Sequence, residues 1–143
     1  MAGNFNLKII TPERIVLDTQ VQRVTARARD GELSILPNHE PLVTALDIDV
    51  MRYEAEGGIE GTAAIIGGVL EVGNKEVTIL TDSAELGVEI DEARARQSRE
   101  RAEAEKMQKQ DKLDTYKAEL ALARAIARLK AVEIAKQARR GKS

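Results

Sequence analysis

The chain has 143 residues, with 22 Lys and Arg, 24 Asp and Glu, one His, no Cys and no Trp. Without cysteine there is no disulfide framework, no thiol nucleophile and no thiolate metal cage, and a single histidine makes a zinc or non-haem iron site improbable. No apolar run reaches the roughly 18 to 20 residues that a membrane-spanning helix needs, and the first residues do not have the pattern of a signal peptide. This length suits one domain with an ordinary core or a small domain with an appendage, and the composition favours the second.

Charge and glycine content divide the chain into two parts. Residues 1–90 hold 15 acidic and 7 basic residues, a net charge of −8, with nine of the ten glycines and all three prolines. Residues 91–143 hold 9 acidic and 15 basic residues, a net charge of +6, with twelve alanines and one glycine. We therefore predict one domain over residues 1–86 and a second over residues 87–143, with Gly87 as the hinge.

The first part predicts antiparallel β structure, because short runs of Val, Ile, Leu and Thr alternate with turn signals. Nine strands are predicted, at residues 5–10, 14–17, 21–29, 32–36, 42–45, 48–54, 62–66, 70–72 and 76–80. Asp30-Gly31 predicts a type I′ hairpin turn, and Gly57-Gly58 and Gly67-Gly68 predict similar turns. This spacing leaves no room for crossover helices, so we expect two antiparallel sheets packed face to face as a β-sandwich.

The second part predicts helix, since Ala, Glu, Lys, Arg and Gln dominate it and no Pro or Gly lies between Val88 and Arg140. A single helix of this length would extend about 75 Å, so a break is expected near residues 108–114, where Asp111 or Asp114 can cap a second helix. The predicted unit is an antiparallel two-helix hairpin, at roughly 91–107 and 113–138. The fold class is therefore α+β with the two kinds of structure segregated.

The two predicted helices differ in apolar content. The second has an apolar stripe that includes Leu113, Tyr116, Leu120 and Ala127. The first offers mainly alanines, which bury little area each, and at roughly 25 cal/mol per Å² such contacts hold a hairpin weakly. We expect the hairpin to be able to open.

Three arginines of the second part can converge across the predicted hairpin. Arg124 and Arg128 share one helix face, where like charges cost a few tenths of a kcal/mol without a counter-anion. Arg94 lies in the first turns of the other helix, where its charge opposes the helix dipole. Such a cluster suits phosphate, with Asp91 and Glu85 as acceptors for a base or sugar. The spacing leaves open the alternative that the arginines pair with glutamates on a solvated face. Those glutamates are Glu103, Glu105 and Glu119.

Two other features do not indicate catalysis. His39 lies in a loop fixed by Pro37 and Pro41, and no Ser or Cys partner stands out for it, so a structural or interface histidine is the better reading. Residues 68–75 superficially resemble a phosphate loop, but Lys75 does not directly follow the second glycine of the pattern and the segment lies between two strands.

The basic second part does not by itself indicate nucleic-acid binding. The whole chain is mildly acidic, and its three aromatic residues offer no platform for stacking bases. An acidic protein surface is the more suitable partner for a segment of charge +6.

Three segments are recognisable as motifs: GELSILPNHEPL at 31–42, IGGVLEV at 66–72 and VTILTD at 77–82. In this order, with a strand-rich first part and a helical second part, the chain resembles the epsilon subunit of F-type ATP synthases over practically its whole length. One departure is Ser34, where many relatives have glycine.

That resemblance implies a non-catalytic rotor subunit, with neither catalytic residues nor a bound metal. Its sandwich would bind the gamma subunit and the membrane-embedded c-ring, coupling proton flow to catalysis in the alpha/beta head. Glu32 and His39 correspond to the end that faces the c-ring, so we expect them to be interface residues. The expected location is peripheral, at the cytoplasmic face of a bacterial plasma membrane or at a plastid thylakoid, with membrane association through the complex only and no nucleic-acid partner.

The resemblance also implies regulation by the hairpin, which in this family either folds on the sandwich or extends into the head and inhibits ATP hydrolysis. In some bacterial members ATP binds the folded hairpin through an Ile/Leu-Asp-x-x-Arg-Ala motif, which Ile90-Asp91-Glu92-Ala93-Arg94-Ala95 matches. The implied ATP-binding set is Glu85, Ile90, Asp91, Arg94, Ala95, Arg124 and Arg128. The arginines would hold phosphates, the two acidic residues would accept donors from adenine or ribose, and ATP would be a regulatory ligand.

Other functions compete with this one. The same rotor subunit without nucleotide binding would use the arginines in protein contacts. A free-standing adaptor for protein or nucleic acid, or an enzyme that uses His39, would belong to different classes.

Overall fold

The computed structural model describes residues 3–108 and 111–140. The strands are β1 Phe5–Ile10, β2 Ile15–Ala28, β3 Gly31–Ile35, β4 Leu42–Ala55, β5 Glu60–Val72, β6 Glu76–Leu80 and β7 Ala84–Leu86. A 3₁₀ turn at Gly87–Glu89 leads into helices α1 Glu92–Gln108 and α2 Lys112–Arg140. The predicted fold class, a β domain followed by a two-helix hairpin, is confirmed.

The strands form one continuous sheet in the order β1-β6-β5-β4-β2-β3, with β7 paired to β5. Because β1 also pairs with β2, the sheet closes on itself, and the two layers of the sandwich are continuous with each other. One pair, β1 with β6, is parallel, whereas the prediction was antiparallel throughout. A parallel pair needs a long connection, which the four intervening strands supply.

Strands β1 and β6 have the predicted bounds, but β2, β4 and β5 each span two of the predicted strands. The predicted turn at Gly67-Gly68 is wrong, because both residues have positive φ (72° and 120°) yet lie inside β5. A side chain at Gly68 would overlap the carbonyl oxygen of Leu80 and approach Cα of Thr81 to 3.0 Å. The two glycines thus allow β5 to run against the end of β6 without reversing direction.

The tight turn between β2 and β3 lies one residue earlier than predicted, at Arg29-Asp30, because Ala28 pairs with Gly31, and it is not type I′. That type requires positive φ at both central residues. Neither Arg29 nor Asp30 has a positive φ, whereas Gly31, the first residue of β3, has a φ of 129°. The connection between β4 and β5 does have two successive positive φ values, 85° at Gly57 and 79° at Gly58, as the sequence predicts for that pair.

The core fills the interior of the closed sheet with alternate side chains of each strand. Leu7 and Ile9 of β1, Leu70 of β5 and Ile79 of β6 are completely buried there. Their chain neighbours point outward, because successive residues of a strand face opposite sides.

The two helices contact each other through small residues. Buried Ala95 and Ala102 of α1 are seven residues apart, as are Ala118, Ala125 and Val132 of α2, a spacing that keeps each set on one helix face. The predicted stripe of α2 is wrong at its start, since Leu113 and Tyr116 are 59% and 57% exposed.

Helix α2 begins where the sequence predicts a cap. The backbone N–H of Leu113 donates to Oδ1 of Asp111 at 2.8 Å, which satisfies one of the amides that the first turn leaves without a helical partner.

Helix α2 also packs on the sandwich. Ala127 and Ala131 lie against Ala64 of β5, and Ile48, Val50 and Ile90 flank this contact. Among the described residues, no helix is both long and apolar enough to cross a membrane.

Candidate functional site

The predicted motif at residues 90–95 forms the entrance to α1. Asp91 caps this helix: the backbone N–H of Arg94 donates to its Oδ1 at 3.1 Å, and the N–H of Ala95 donates to its carbonyl oxygen at 3.0 Å. The acidic side chain near the helix N-terminus is also favoured by the helix dipole. The motif is therefore held in place by its own sequence, directly beside the junction of sandwich and hairpin.

An ion pair spans that junction. Nε of Arg128 on α2 donates to Oε1 of Glu85 on β7 at 2.7 Å, although the two residues are 43 positions apart. The glutamates that helical spacing offered as alternative partners are not used by Arg128. Glu103 pairs instead with Arg99, and Glu119 with Lys106. The structure thus brings two members of the predicted ATP-binding set into contact.

The other members of that set differ in how far they are buried. Ile90 is partly buried against the alanines of α2, and Ala95 is buried in the seam between the helices. Arg94 is exposed and Arg124 is half-buried, and neither forms an ion pair with any residue in the ranges 3–108 and 111–140. Their charges are thus available to an anion.

A second ionic contact ties the start of α1 to the end of α2. Nζ of Lys136 donates to Glu92, and Arg96 donates to the same carboxylate at 3.0 Å. These two cations, Lys136 foremost, lower the pKa of Glu92 below its ordinary value. The hairpin is therefore held closed at this end by charges that are in place at neutral pH.

Tyr53 of β4 lies close to the 3₁₀ turn that leads into the hairpin. Burial raises the pKa of its phenol, and the carboxylate of Glu89 raises this pKa further. Its ring also lies against Gly61, where a side chain would overlap the phenol. The hydroxyl group is thus kept in its neutral form.

The two predicted interface residues lie in different surroundings. Glu32 is exposed on β3 and lines a cavity of about 280 Å³ together with Ile134 and Ala135 of α2. His39 is exposed in the loop after β3, where its Nδ1 lies 2.8 Å from the carbonyl oxygen of Glu40. His39 and the turn at residues 73–76 line a second cavity, separate from the one that Glu32 lines. The structure does not bring the two residues into one site.

An apolar row on the outer face of the sandwich was not predicted. Ile15, Ile10, Leu80, Val69 and Ala45 lie directly opposite one another across five neighbouring strands. Ile15, Leu80 and Val69 are 56%, 42% and 37% exposed. The signal in the sequence is a set of adjacent apolar pairs, such as Ile9-Ile10 and Ile79-Leu80, because a strand with one solvated face would alternate apolar and polar residues. An exposed apolar patch of this kind is typical of a protein-binding surface.

Residues 3–108 and 111–140 contain no group of three or more His, Asp or Glu side chains placed to hold a metal ion.

The fold belongs to a two-domain class, a β-sandwich followed by a helical hairpin that folds back on it. Residues 4–87 match the family model described as the ATP synthase, Delta/Epsilon chain, beta-sandwich domain. Residues 89–133 match the model of the long alpha-helix domain of the same chains. The chain belongs to the ATP synthase delta/epsilon family, as an epsilon subunit of the F-type enzyme. It is a regulatory subunit of the central stalk rather than a catalytic one.

Individual relatives agree with this assignment. The ATP synthase epsilon chain of Desulfitobacterium hafniense strain Y51 is 43% identical over 131 residues, which cover 92% of this chain and 98% of the relative. The epsilon chain of Moorella thermoacetica is 46% identical over 90% of this chain and 96% of its own. The chloroplastic epsilon chain of Jasminum nudiflorum is 39% identical over 91% and 97%.

A solved structure has a similar fold. It is a chain of the OSCP/F1/c-ring assembly of the Euglena gracilis mitochondrial ATP synthase, with a TM-score of 0.77 and 28% identity. The match covers 90% of this chain and 80% of that one.

Proposed function

We propose that this subunit couples proton transport to ATP synthesis as part of the rotor, and that its hairpin leaves the sandwich to inhibit ATP hydrolysis. In this proposal, ATP binds the docked hairpin and stabilises it. The observation that carries the proposal is the ion pair of Glu85 and Arg128, because it joins the sandwich to α2 within the ATP-binding set.

Among the described residues, the docked hairpin is held by small apolar side chains and three polar contacts, which suits a movable element. Besides the alanine contact, α2 and the sandwich share the Glu85–Arg128 pair, a longer pair from Lys130 to Asp49 at 3.7 Å, and a hydrogen bond from Thr62 to the carbonyl oxygen of Ala131. Partly exposed ion pairs of this kind contribute about 1 kcal/mol or less. We therefore expect the hairpin to undock without unfolding of the sandwich.

The chemistry of the site suits a nucleotide. Arg94 and Arg124 have no partner among the described ion pairs, and guanidinium groups match the oxygens of phosphate. Arg128 would add a third guanidinium group, and its partner Glu85 is an acceptor for the amine or hydroxyl donors of adenine and ribose. A ligand that binds only the docked state at 100 times its Kd would stabilise that state by about 2.7 kcal/mol, so cellular ATP would control the hairpin.

The proposed partners are the gamma subunit and the c-ring for the sandwich, and the alpha/beta head for the extended hairpin. The apolar row of Ile10, Ile15, Val69 and Leu80 supports a tight protein contact on the sandwich. We assign Glu32 and His39 to the surface that faces the c-ring. Association with the cytoplasmic face of a bacterial plasma membrane would then occur only through the complex.

Calorimetric titration of the purified chain with ATP tests the regulatory part of the proposal, with ADP and GTP as controls. We expect saturable binding that prefers ATP. Absence of detectable binding at millimolar ATP would contradict the nucleotide site and leave the assignment as a stalk subunit intact.

One observation favours a second candidate, a purely mechanical hairpin without nucleotide. Glu85 already neutralises Arg128, so the docked state does not require an added anion at that position. In this case inhibition of hydrolysis by the assembled enzyme would not change with ATP concentration, whereas the first proposal expects inhibition to weaken as ATP rises.

A further inference from the structure

A buried hydrogen bond joins the sandwich to the middle of α2. The hydroxyl of Thr62 on β5 donates to the backbone carbonyl oxygen of Ala131 at 2.7 Å. Thr62 is 4% exposed and Ala131 is completely buried, so water does not compete for this contact in the docked state. A carbonyl oxygen has two lone pairs, so that of Ala131 can accept this bond in addition to its helical one.

Gly87 lies beside both partners of this hydrogen bond, Thr62 and Ala131. It is buried in the 3₁₀ turn between β7 and α1, and it has no positive φ that would require glycine. A Cβ atom at this position would overlap Oγ1 of Thr62 and lie 2.7 Å from the carbonyl oxygen of Ala131. The reason for glycine here is thus the space that α2 and Thr62 occupy.

The hydrogen bond and the close packing at Gly87 affect docking in different ways. The hydrogen bond stabilises the docked state only modestly, because both polar groups can bind water when the helix leaves. The overlap of a side chain at position 87 with Ala131 exists only while α2 is docked, because Ala131 leaves with the helix. Rotation of the Thr62 side chain would relieve one overlap but would break the bond, and the backbone of Ala131 cannot move without shifting the helix.

We propose that Thr62, Gly87 and Ala131 form a docking latch that sets the ratio of docked to undocked hairpin. The bond is weak enough to be reversible, and the glycine gives α2 close access to the sheet. The latch rests on one part of the proposed function, that the hairpin leaves the sandwich. It does not require bound nucleotide.

Distance measurement in the full chain tests the latch. The chain has no cysteine, so spin labels can be placed at Glu71→Cys and Gln137→Cys, two exposed positions on β5 and α2. Without nucleotide, we expect Gly87→Ala to raise the ratio of undocked to docked hairpin at least tenfold. Thr62→Val keeps the shape but removes the donor, and we expect a rise of roughly two- to tenfold.

Two matched controls lie away from α2. Gly73→Ala adds a methyl group in an exposed turn, where the nearest atom is a carbonyl oxygen at 3.7 Å. Thr78→Val removes a hydroxyl on β6 whose hydrogen bond, to Glu76, stays within its own strand. Both variants should keep the distances of the unmodified chain.

A double variant distinguishes direct contact from general destabilisation. In a Thr62→Ala background one of the two overlaps is gone, so Gly87→Ala should have a smaller effect than it has alone. Strictly additive effects, or an unchanged distance distribution for Gly87→Ala, would overturn the latch. If Gly87→Ala does not fold, Thr62→Val decides: wild-type distances for that variant would overturn the proposal.

The same samples separate the latch from nucleotide sensing. If ATP shifts the unmodified chain toward the docked state, and Gly87→Ala gives the same distances as the unmodified chain, the latch is wrong and the proposed function stands. If Gly87→Ala undocks the hairpin while ATP changes nothing, the latch is supported and nucleotide sensing is wrong.

Discussion

Replacement of Arg128 by glutamine should separate ligand binding from stability. The substitution removes the charge that meets Glu85 at 2.7 Å and keeps a polar side chain. We expect ATP affinity to fall strongly, whereas the free energy of unfolding should change little.

The two magnitudes follow from the environment of the pair. The side chains of Arg128 and Glu85 are 26% and 38% exposed, so water screens their attraction, and its loss should cost about 1 kcal/mol or less. A charge-assisted hydrogen bond to phosphate is worth about 1.5–3 kcal/mol, which corresponds to a loss of about 10- to 150-fold in affinity.

Calorimetry would measure affinity, and thermal unfolding would measure stability, in the same preparations. Arg99→Gln is the matched control, because Arg99 lies on the same hairpin and also pairs with a glutamate, Glu103, at 3.0 Å. This control should bind ATP as the unmodified chain does. Equal affinities for Arg128→Gln and the unmodified chain would refute the role of Arg128 in binding phosphate.

Three further predictions concern stability, pH and catalysis. Ile79→Ala should lower the unfolding free energy by about 2–5 kcal/mol, because Ile79 is completely buried. Leu80→Ala, at the neighbouring 42% exposed position, should leave stability nearly unchanged but weaken copurification with the stalk partners, and equal losses in both variants would contradict the two-faced strand. Lys136 lowers the pKa of Glu92 below 4.5, so their contact should stabilise the fold above that pH. This stabilisation should be lost as the pH falls through the lowered pKa. A stability difference between Glu92→Gln and the unmodified chain that persists at pH 2 would contradict the prediction. His39→Ala should not change any ATP hydrolysis measured with the isolated chain, and a loss would indicate catalysis.

Local pattern was sufficient for β1, β6 and the helices, but not for β7, which was not predicted. Strands β1 and β6 have the predicted bounds, and the helices begin and end within two residues of the predicted positions. These elements have strong local signals: alternation in the strands, and helix-forming residues with an Asp111 cap in the hairpin. The long strands were split because polar or glycine residues inside them, such as Asp47 and Gly67, have the local character of turns. Pairing with neighbouring strands on both sides outweighs that character.

The contacts between sandwich and hairpin could not be predicted from local pattern. Helical spacing pointed to glutamates on the hairpin as partners of Arg128, whereas its partner is Glu85, 43 positions away. Similarly, the bond between Thr62 and Ala131 joins residues 69 positions apart. Such pairs depend on how α2 lies on the sheet, and an alanine contact gives little sequence signal for that docking direction.

Closure of the sheet has a consequence for the newly made subunit before it joins its complex. Because β1 bonds to both β2 and β6, the strands left at the edges are β3 and β7, with five and three residues. Short edges are poor templates for pairing between chains, so the sandwich is protected against edge-to-edge aggregation. Any incorrect association of subunits that have not yet joined the complex would then occur through the side chains of the outer face rather than through backbone hydrogen bonds.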